Sequence, residues 1–141
     1  MGGAPSKPKK ALHINTQAFE AAERGDLQEL RSLLDRGASL ELRYSHEVPG
    51  SETALYRAAA CGRTACCQLL LERGAFVEAA TYDGWTPLLI AAQEGHLETI
   101  RLLLDWGAST VHKQHEGRCA ADVTDSDAVR ALLRAPHKRS K

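Results

Sequence analysis

Aromatic side chains are scarce in this chain, which has two phenylalanines, two tryptophans and three tyrosines among its 141 residues. A core with so few large rings must be filled mainly by alanine and leucine, which suits short and closely packed helices. The chain also lacks a run of 18 apolar residues and an apolar stretch near its N-terminus. These absences predict that it has neither a membrane-spanning helix nor a secretory signal.

Cysteine is infrequent as well, and its placement argues against a disulfide framework. Of the four cysteines, Cys66 and Cys67 are adjacent within a predicted helix, where we expect them to be small core residues. The absence of a disulfide framework is typical of proteins in a reducing compartment. We therefore expect an intracellular protein that is cytoplasmic, nuclear or both.

The sequence contains none of the short motifs that mark common active sites. A glycine-rich phosphate loop, a nucleophile elbow and an HExxH zinc motif are all absent. His112, His115 and Cys119 lie close together in the chain, but a closed metal site needs four ligands and no fourth is near. The sequence therefore predicts a protein that is not an enzyme and that binds no metal and no cofactor.

The formal net charge is zero, but the charges are unevenly distributed. Three lysines lie in residues 1–13 and four basic residues lie in residues 134–141, and neither end carries an acidic residue. The rest of the chain contains 11 basic and 18 acidic residues, so the body of the chain has a net charge near −7. A body of this sign repels phosphate backbones and disfavours nucleic-acid binding, whereas it favours a basic or mixed protein partner.

A repeat of 33 residues organises the chain. Residues 84–108 contain the clearest copy, in which Thr86 and Gly95 lie 33 residues after Thr53 and Gly62. One step earlier, Gly25 precedes Gly62 by 37 residues, so that step contains a four-residue insertion, which falls within residues 43–51. A period of this length is the sequence signature of a stacked array of helical repeats.

Each unit has the pattern of two short helices. In the clearest copy Thr86 is a suitable N-cap, and Pro87 occupies the first helical position, where its missing N–H is not needed. Gly95 is placed to end this helix in a left-handed conformation, and Gly107 ends the second helix in the same way. Two helices of this length cannot bury their apolar faces on each other alone, so the units must stack.

The strings TPL, AA, GH, LLL and GA in residues 86–108 resemble the ankyrin repeat family, and the resemblance extends over residues 14–134. It implies an all-α ankyrin-repeat solenoid whose helix–turn–helix units are joined by β-turn fingers. We expect four units at 14–42, 52–78, 84–111 and 117–134, with the terminal two as degenerate caps. The basic tail of residues 1–13 is expected to be disordered, and the basic C-terminal tail, residues 135–141, is expected to fray.

One position departs from the family pattern. The family usually has histidine directly after TPL, whereas this chain has Phe19, Tyr56 and Leu89 at the corresponding positions. The hydrogen bonds that this histidine makes between repeats are therefore not expected here. We expect apolar stacking in their place.

The resemblance implies a monomeric module that binds a partner protein through its fingers and concave groove. In the family this groove is lined by the finger tip, the end of the first helix and the residue before the last glycine of the second helix. The corresponding residues here are Glu52, Arg73, Tyr82, Asp83, Trp85, Gln93, Glu94 and Trp106. The insertion adds Tyr44 and His46 as candidate contacts, because insertions in such arrays lie on exposed loops.

The two tryptophans of the chain, Trp85 and Trp106, both occupy these predicted groove positions. Tryptophan and tyrosine are over-represented among residues that carry interface energy, which favours a role in partner binding. The alternative is structural. In that case Trp85 packs on the next finger and Trp106 covers the end of its own helix.

The N-terminus matches Met-Gly-x-x-x-Ser, the pattern for N-myristoylation of Gly2. One acyl chain binds a membrane only marginally, and the lysines that follow would add attraction to anionic lipids. A membrane-tethered adaptor is therefore the second hypothesis. A solubilising tail and a basic nuclear-import patch are alternatives for the same residues. A third hypothesis for the whole chain is a regulator that inhibits an enzyme by occluding it.

Overall fold

The computed structural model describes residues 9–43 and 51–135, and every regular element within them is an α-helix. In chain order the helices are α1 (Lys9–Arg24), α2 (Leu27–Asp35), α3 (Ala54–Ala60), α4 (Thr64–Glu72), α5 (Pro87–Glu94), α6 (Leu97–Asp105), α7 (Ala120–Val123) and α8 (Asp127–Arg134). The all-α prediction is confirmed. In this part of the chain, none of the helices is long and apolar enough to cross a bilayer.

The helices form two rows. In the first row, α1, α3, α5 and α7 each contact the next member, and α2, α4, α6 and α8 do the same in the second row. Each first-row helix also contacts the second-row helix that follows it in the chain. Every helix pair is therefore one unit of the sequence repeat, and the four units stack as an ankyrin-repeat solenoid.

Small residues allow the first-row helices to approach closely. Ala58 and Ala59 in α3, and Ala91 and Ala92 in α5, are all fully buried. The second row contributes larger side chains, and its fully buried members include Leu30, Leu33, Leu70, Ile100, Leu103 and Val129. The core is therefore continuous from one repeat to the next, as the short helices require.

The adjacent cysteines belong to this core. Cys66 and Cys67 lie in α4 with exposed fractions of 1% and 0%, and both are free thiols. Burial raises the pKa of both thiols, so each favours its neutral form. The prediction that they are small core residues is confirmed.

The helix ends lie at the residues that the sequence indicates. The hydroxyl oxygens of Thr53 and Thr86 each accept a hydrogen bond from the backbone N–H three residues later, at 3.1 and 3.2 Å. Pro87 is the first residue of α5, and Gly95 ends this helix with a φ of 79°. A left-handed φ of this kind favours glycine, because other residues meet steric strain there.

Side-chain hydrogen bonds between repeats are made at a different position from that of the family histidine, which this chain lacks. Arg63 Nε donates to the Glu23 carbonyl at 3.0 Å, and His96 Nε2 donates to the Ala60 carbonyl at the same distance. Arg63 and His96 are equivalent positions, 33 residues apart, and each side chain reaches back to the first-row helix of the preceding repeat. These two bonds therefore join the first three repeats.

The residues that replace the family histidine are all buried. Phe19, Tyr56 and Leu89 have exposed fractions of 3%, 9% and 1%. Their burial agrees with the apolar stacking that the sequence predicts at these positions.

Two glutamates join the bases of successive fingers. The Glu41 carboxylate accepts the Phe76 backbone N–H at 2.8 Å, and the Glu78 carboxylate accepts the Ser109 backbone N–H at 2.6 Å. Glu41 and Glu78 are equivalent residues of the first and second repeats. Since each carboxylate bonds to the following repeat, the fingers keep a fixed spacing along the array.

The two ends of the array depart from the regular repeat. α1 begins at Lys9, so residues 9–13, which the sequence pattern assigned to the tail, are part of a helix. Thr16, which corresponds to the N-cap threonines by spacing, lies inside α1, because neither proline nor glycine interrupts residues 9–24. At the other end α7 has only four residues, and its N-cap is Cys119, whose thiol donates to the Asp122 carboxylate at 3.2 Å.

Candidate protein-interaction surface

The third finger, which joins α4 to α5, exposes two of the predicted contact residues at a tight turn. The Thr81 N–H donates to the Trp85 carbonyl and the Gly84 N–H donates to the Thr81 carbonyl, both at 2.9 Å. The turn leaves Tyr82 and Asp83 exposed, and 60% of the Tyr82 surface is accessible. The tip of this finger therefore presents an aromatic ring beside a carboxylate.

The fourth finger, which joins α6 to α7, holds the third finger in place. The His115 backbone N–H donates to the Asp83 carbonyl at 2.9 Å, and His112 Nε2 donates to the Gly84 carbonyl at 3.0 Å. Gly84 has a φ of 84°, and a Cβ there would lie 3.1 Å from the Cα of Gln114. The contact between the two fingers therefore requires glycine at position 84. Across residues 9–43 and 51–135, no group of three or more histidine, cysteine or acidic side chains is arranged to hold a metal ion.

The two tryptophans have different surroundings. Trp85 precedes the N-cap of α5 and is half-buried, with its side chain packed against the core. Trp106 is the C-cap residue of α6, in the second row, and 38% of its surface is exposed. Trp85 is therefore in part a structural residue, whereas Trp106 offers an aromatic surface at the end of a second-row helix.

Three of the predicted contact residues influence the pKa of Tyr56, a buried residue of α3. Burial is the main cause that raises the pKa of Tyr56 to about 12. The negative charges of Glu52, Asp83 and Glu94 raise this pKa further, because they disfavour a phenolate, and the positive charge of Arg57 opposes them. Carboxylates of the second and third repeats therefore both contribute to the pKa of this one side chain.

These three carboxylates are not equivalent. Glu52 forms an ion pair with Arg57, and only 16% of its side chain is exposed. Arg57 also reaches Glu23 of the first repeat, with its Nε 3.7 Å from the carboxylate. Asp83 and Glu94 are both exposed, and no ion pair or side-chain hydrogen bond joins either of them to another described residue. Their charges are therefore uncompensated within this part of the chain.

The remaining predicted contact residues are dispersed. Arg73 is the C-cap residue of α4 and forms an ion pair with Asp35 of the preceding repeat, with 2.7 Å between nitrogen and oxygen. Gln93 is exposed near the end of α5. Tyr44, His46 and Gly2 lie outside the residues that the structure describes.

Tyr56 and Arg57 were not among the residues predicted for this surface. The one available signal was the departure from the family histidine at Tyr56, which marked the position as unusual without indicating which charges surround it. The role of Arg57 depends on Glu23 and Glu52, which belong to different repeats. A contact of this kind follows from stacking and has no local sequence pattern.

The raised pKa of Tyr56 predicts a pH dependence of stability. An ordinary tyrosine loses its proton near pH 10, whereas folded Tyr56 keeps its proton to about pH 12. The resulting stabilisation is complete below the unfolded pKa and is lost as the pH rises toward the folded value. Between about pH 9 and about pH 11, urea unfolding should therefore show a steeper loss of stability for the wild type than for Tyr56→Phe.

The exposed Tyr82 provides the control for this experiment. Tyr82→Phe removes a hydroxyl of the same kind at the finger tip, and we expect this variant to retain the steep wild-type pH dependence. If Tyr56→Phe lost stability as steeply as the wild type, the assignment of this effect to Tyr56 would be wrong.

Comparison with known proteins identifies the class to which this fold belongs. The profile of a family described as "Ankyrin repeats (3 copies)" matches residues 18–114. The chain therefore belongs to the ankyrin repeat family, as its repeat pattern indicates. Ankyrin repeats generally mediate protein–protein interactions.

Three curated relatives illustrate the range of proteins that share this domain. The chain is 33% identical over 132 residues to Ankyrin repeat and SOCS box protein 11 of Homo sapiens, covering 91% of the chain and 39% of the relative. It is 38% identical over 125 residues to Protein phosphatase 1 regulatory subunit 12A of Mus musculus, covering 87% of the chain and 12% of the relative. It is 35% identical over 85 residues to Notch-regulated ankyrin repeat-containing protein of Homo sapiens, covering 60% of the chain and 75% of the relative.

The chain thus spans less than half the length of the first two relatives and most of the length of the third. With the first two it shares a repeat domain within a longer protein.

Proposed function

We propose that this chain is a non-catalytic module that binds a partner protein through one surface of its second and third repeats. This surface, called the third-finger surface below, consists of Glu52, Tyr82, Asp83 and Glu94. The observation that carries the proposal is the combination of an exposed aromatic ring at Tyr82 with the uncompensated carboxylates of Asp83 and Glu94. We propose a monomer that acts in the cytoplasm, the nucleus or both.

The fixed geometry of the fingers supports this proposal. The third finger is held by its own turn and by the fourth finger, so little ordering is needed when a partner binds. The negative charge of the repeat body favours a basic or mixed partner, and it makes association slower as the salt concentration rises. One similar protein is named as a regulatory subunit of a phosphatase. Regulation of an enzyme by binding it, including its inhibition by occlusion, is therefore one form of this proposal.

Affinity capture with matched surface variants tests the proposal. The baits are the wild-type chain, Tyr82→Ser and Phe76→Ser, and captured proteins are quantified by mass spectrometry. Tyr82 and Phe76 are both 60% exposed, so the two variants remove similar aromatic area. We expect Tyr82→Ser to reduce capture of a specific partner about tenfold, because exposed aromatic anchors carry much of the interface energy, and we expect Phe76→Ser to have little effect.

The outcomes of this experiment separate the finger tip from the rest of the surface. Equal losses with both variants would indicate general apolar adhesion, and an unchanged capture with Tyr82→Ser would contradict the proposed site. Trp106→Ala tests the second row in the same assay. A loss confined to that variant would place the interface at the end of α6.

We also propose membrane tethering as a second candidate function, on the basis of the Met-Gly-x-x-x-Ser sequence and the lysines that follow it. Gly2→Ala should abolish incorporation of labelled myristate and should reduce the membrane-bound fraction of the protein in cells. Gly3→Ala is the matched control, because it makes the same change one residue later and keeps Gly2. A wild-type chain that incorporates no label would rule out this candidate.

A further inference from the structure

The first three helices of the second row share an unfavourable charge at their C-terminal ends. α2, α4 and α6 end on Asp35, Glu72 and Asp105, and none of the three helices has a basic residue in its last turn. A carboxylate in this place lies near the negative end of the helix dipole, where a cation is preferred. A cation from outside the helix is therefore favoured at each of these ends.

The first two repeats have an arginine at the C-cap position, and the third repeat does not. The C-cap residues of α2 and α4 are Arg36 and Arg73, and Arg73 reaches the Asp35 carboxylate of the preceding repeat at 2.7 Å. The equivalent residue of α6 is Trp106, whose φ of −90° is close to the −87° of Arg73. The two side chains therefore leave the backbone in equivalent directions, toward the end of the preceding second-row helix, but Trp106 brings no charge.

Glu72 is the carboxylate that this change leaves without a cation. It occupies the position of Asp35 one repeat later. Its Oε2 accepts a hydrogen bond from the neutral amide of Gln68 at 2.7 Å, and within residues 9–43 and 51–135 no ion pair joins it to another side chain. Trp106 has 38% of its surface exposed. The stacking thus brings an indole ring and an unpaired carboxylate to one edge of the array, and both attract a cation.

A basic segment of the chain begins at the same edge. α8 packs on α6, and the described part of the chain ends at Ala135, the C-cap residue of α8, which holds the place of Trp106 in the fourth repeat. The axes of packed helices are about 8–10 Å apart, whereas the six residues that follow can span about 20 Å. They include three basic residues and no acidic one. The segment is therefore long enough to pass Trp106 and to reach Glu72 with its far end.

We infer that the basic residues of the C-terminal tail, Lys138, Arg139 and Lys141, dock on the end of the second row, against the Trp106 ring and the Glu72 carboxylate. This edge is separate from the third-finger surface, so the inference goes beyond the proposed function. Exposed contacts of this kind are weak, but a short tether keeps the tail at an effective concentration of roughly millimolar order. A millimolar affinity is then enough to occupy the site, and another basic segment must displace the tail to reach Trp106.

NMR of the full chain tests the inference through the indole N–H signal of Trp106, which is assigned with Trp106→Phe. The tail variant carries Lys138→Gln, Arg139→Gln and Lys141→Gln. We expect this variant to shift the Trp106 signal and to leave the Trp85 signal in place. A rise in salt from about 0.05 M to about 0.5 M should move the wild-type signal toward that of the tail variant, because salt screens exposed charges.

The N-terminal lysines provide the matched control. The variant Lys7→Gln, Lys9→Gln, Lys10→Gln removes the same charge from the other end of the chain. We expect its Trp106 signal to coincide with that of the wild type. An equal shift in this control would mean that the net charge of the protein acts at a distance and that the tail has no docking site.

A capped peptide with the sequence of residues 136–141 gives a second measurement. It should bind the tail variant saturably, observed at Trp106, and should bind the wild type at least about twofold more weakly, because the tethered tail competes with it. In the tail variant, Glu72→Gln should weaken the peptide about threefold, as expected for the loss of an exposed ion pair. Glu98→Gln, which removes an exposed carboxylate at the opposite end of α6, should have little effect.

Three further outcomes would overturn the inference. An unmoved Trp106 signal in the tail variant would show that the tail does not cover this ring. A difference between wild type and tail variant that grows with protein concentration would place the tail on a second copy of the chain. If Glu72→Gln weakened the peptide no more than Glu98→Gln does, the docking site would lie elsewhere.

Discussion

Replacement of Leu103 by alanine is expected to lower the free energy of unfolding by about 3 kcal/mol. Leu103 is fully buried in α6, which contacts α4, α5 and α8. The lost side chain removes apolar contacts and leaves a cavity that the surrounding helices fill only in part. Because each repeat is stabilised mainly by its neighbours, a defect in the third repeat weakens the interfaces on both of its sides. Urea unfolding monitored by far-UV circular dichroism measures the change.

The adjacent residue on the same helix is the control. Leu102 is only half-buried, so we expect Leu102→Ala to cost about 1 kcal/mol, mostly through lost burial of apolar surface. Both variants replace leucine by alanine in α6, and they differ in how deeply the leucine side chain is buried. Equal losses would mean that the second row is not a closely packed core.

Gly62→Ala is expected to lower the free energy of unfolding by about 2–3 kcal/mol, for two separate reasons. Gly62 has a φ of 70°, a conformation in which any side chain is strained. In addition, a Cβ on Gly62 would lie 2.7 Å from Nδ1 of the His96 ring, which packs there while it bonds to the Ala60 carbonyl. The substitution therefore strains a helix end and disturbs a link between repeats.

Gly95→Ala separates these two effects. Gly95 has a φ of 79°, but a Cβ there would meet nothing within 4 Å, so only the backbone strain of about 1 kcal/mol is expected. In the double variant Gly62→Ala, His96→Ala, the steric conflict is absent, so the effects of its two changes should not add. Equal losses for Gly62→Ala and Gly95→Ala would show that the His96 contact contributes nothing.

The repeat architecture separates residues that stabilise the chain from residues that are available for binding. The alanine pairs of the first row and the leucines of the second row are buried, whereas Tyr82, Asp83 and Glu94 are exposed at finger and helix ends. Substitutions at these exposed residues should therefore have little effect on folding, which makes them suitable tests of the proposed binding surface. Trp85 differs, because its side chain packs against the core. Its replacement would change stability as well as any binding, so it is a poor test of binding alone.

Much of the fold was predictable because its signals are local. The Thr86 and Thr53 caps, Pro87 at the start of α5 and Gly95 at its end all act within one turn of a helix. Interactions of such short range depend on only a few consecutive residues. The 33-residue period repeats those residues in each unit. The period also predicted the stacking, since a pair of short helices cannot bury its apolar faces alone. The start of α1 was less predictable, because residues 9–13 carry no signal that distinguishes a tail from an extended helix.

The candidate surface was predictable only in part. Family positions identified Glu52, Asp83 and Glu94, but their common effect on the pKa of Tyr56 depends on the stacking of α3 on α5. Tertiary packing also gave the two tryptophans different surroundings, since Trp85 packs against the core just before α5 and Trp106 is the exposed C-cap residue of α6. Electrostatic interactions and burial depend on distances in space, and these side chains come from separate repeats. Local sequence therefore determined the helices and their order, and only the packing of neighbouring repeats decided which charges share a surface.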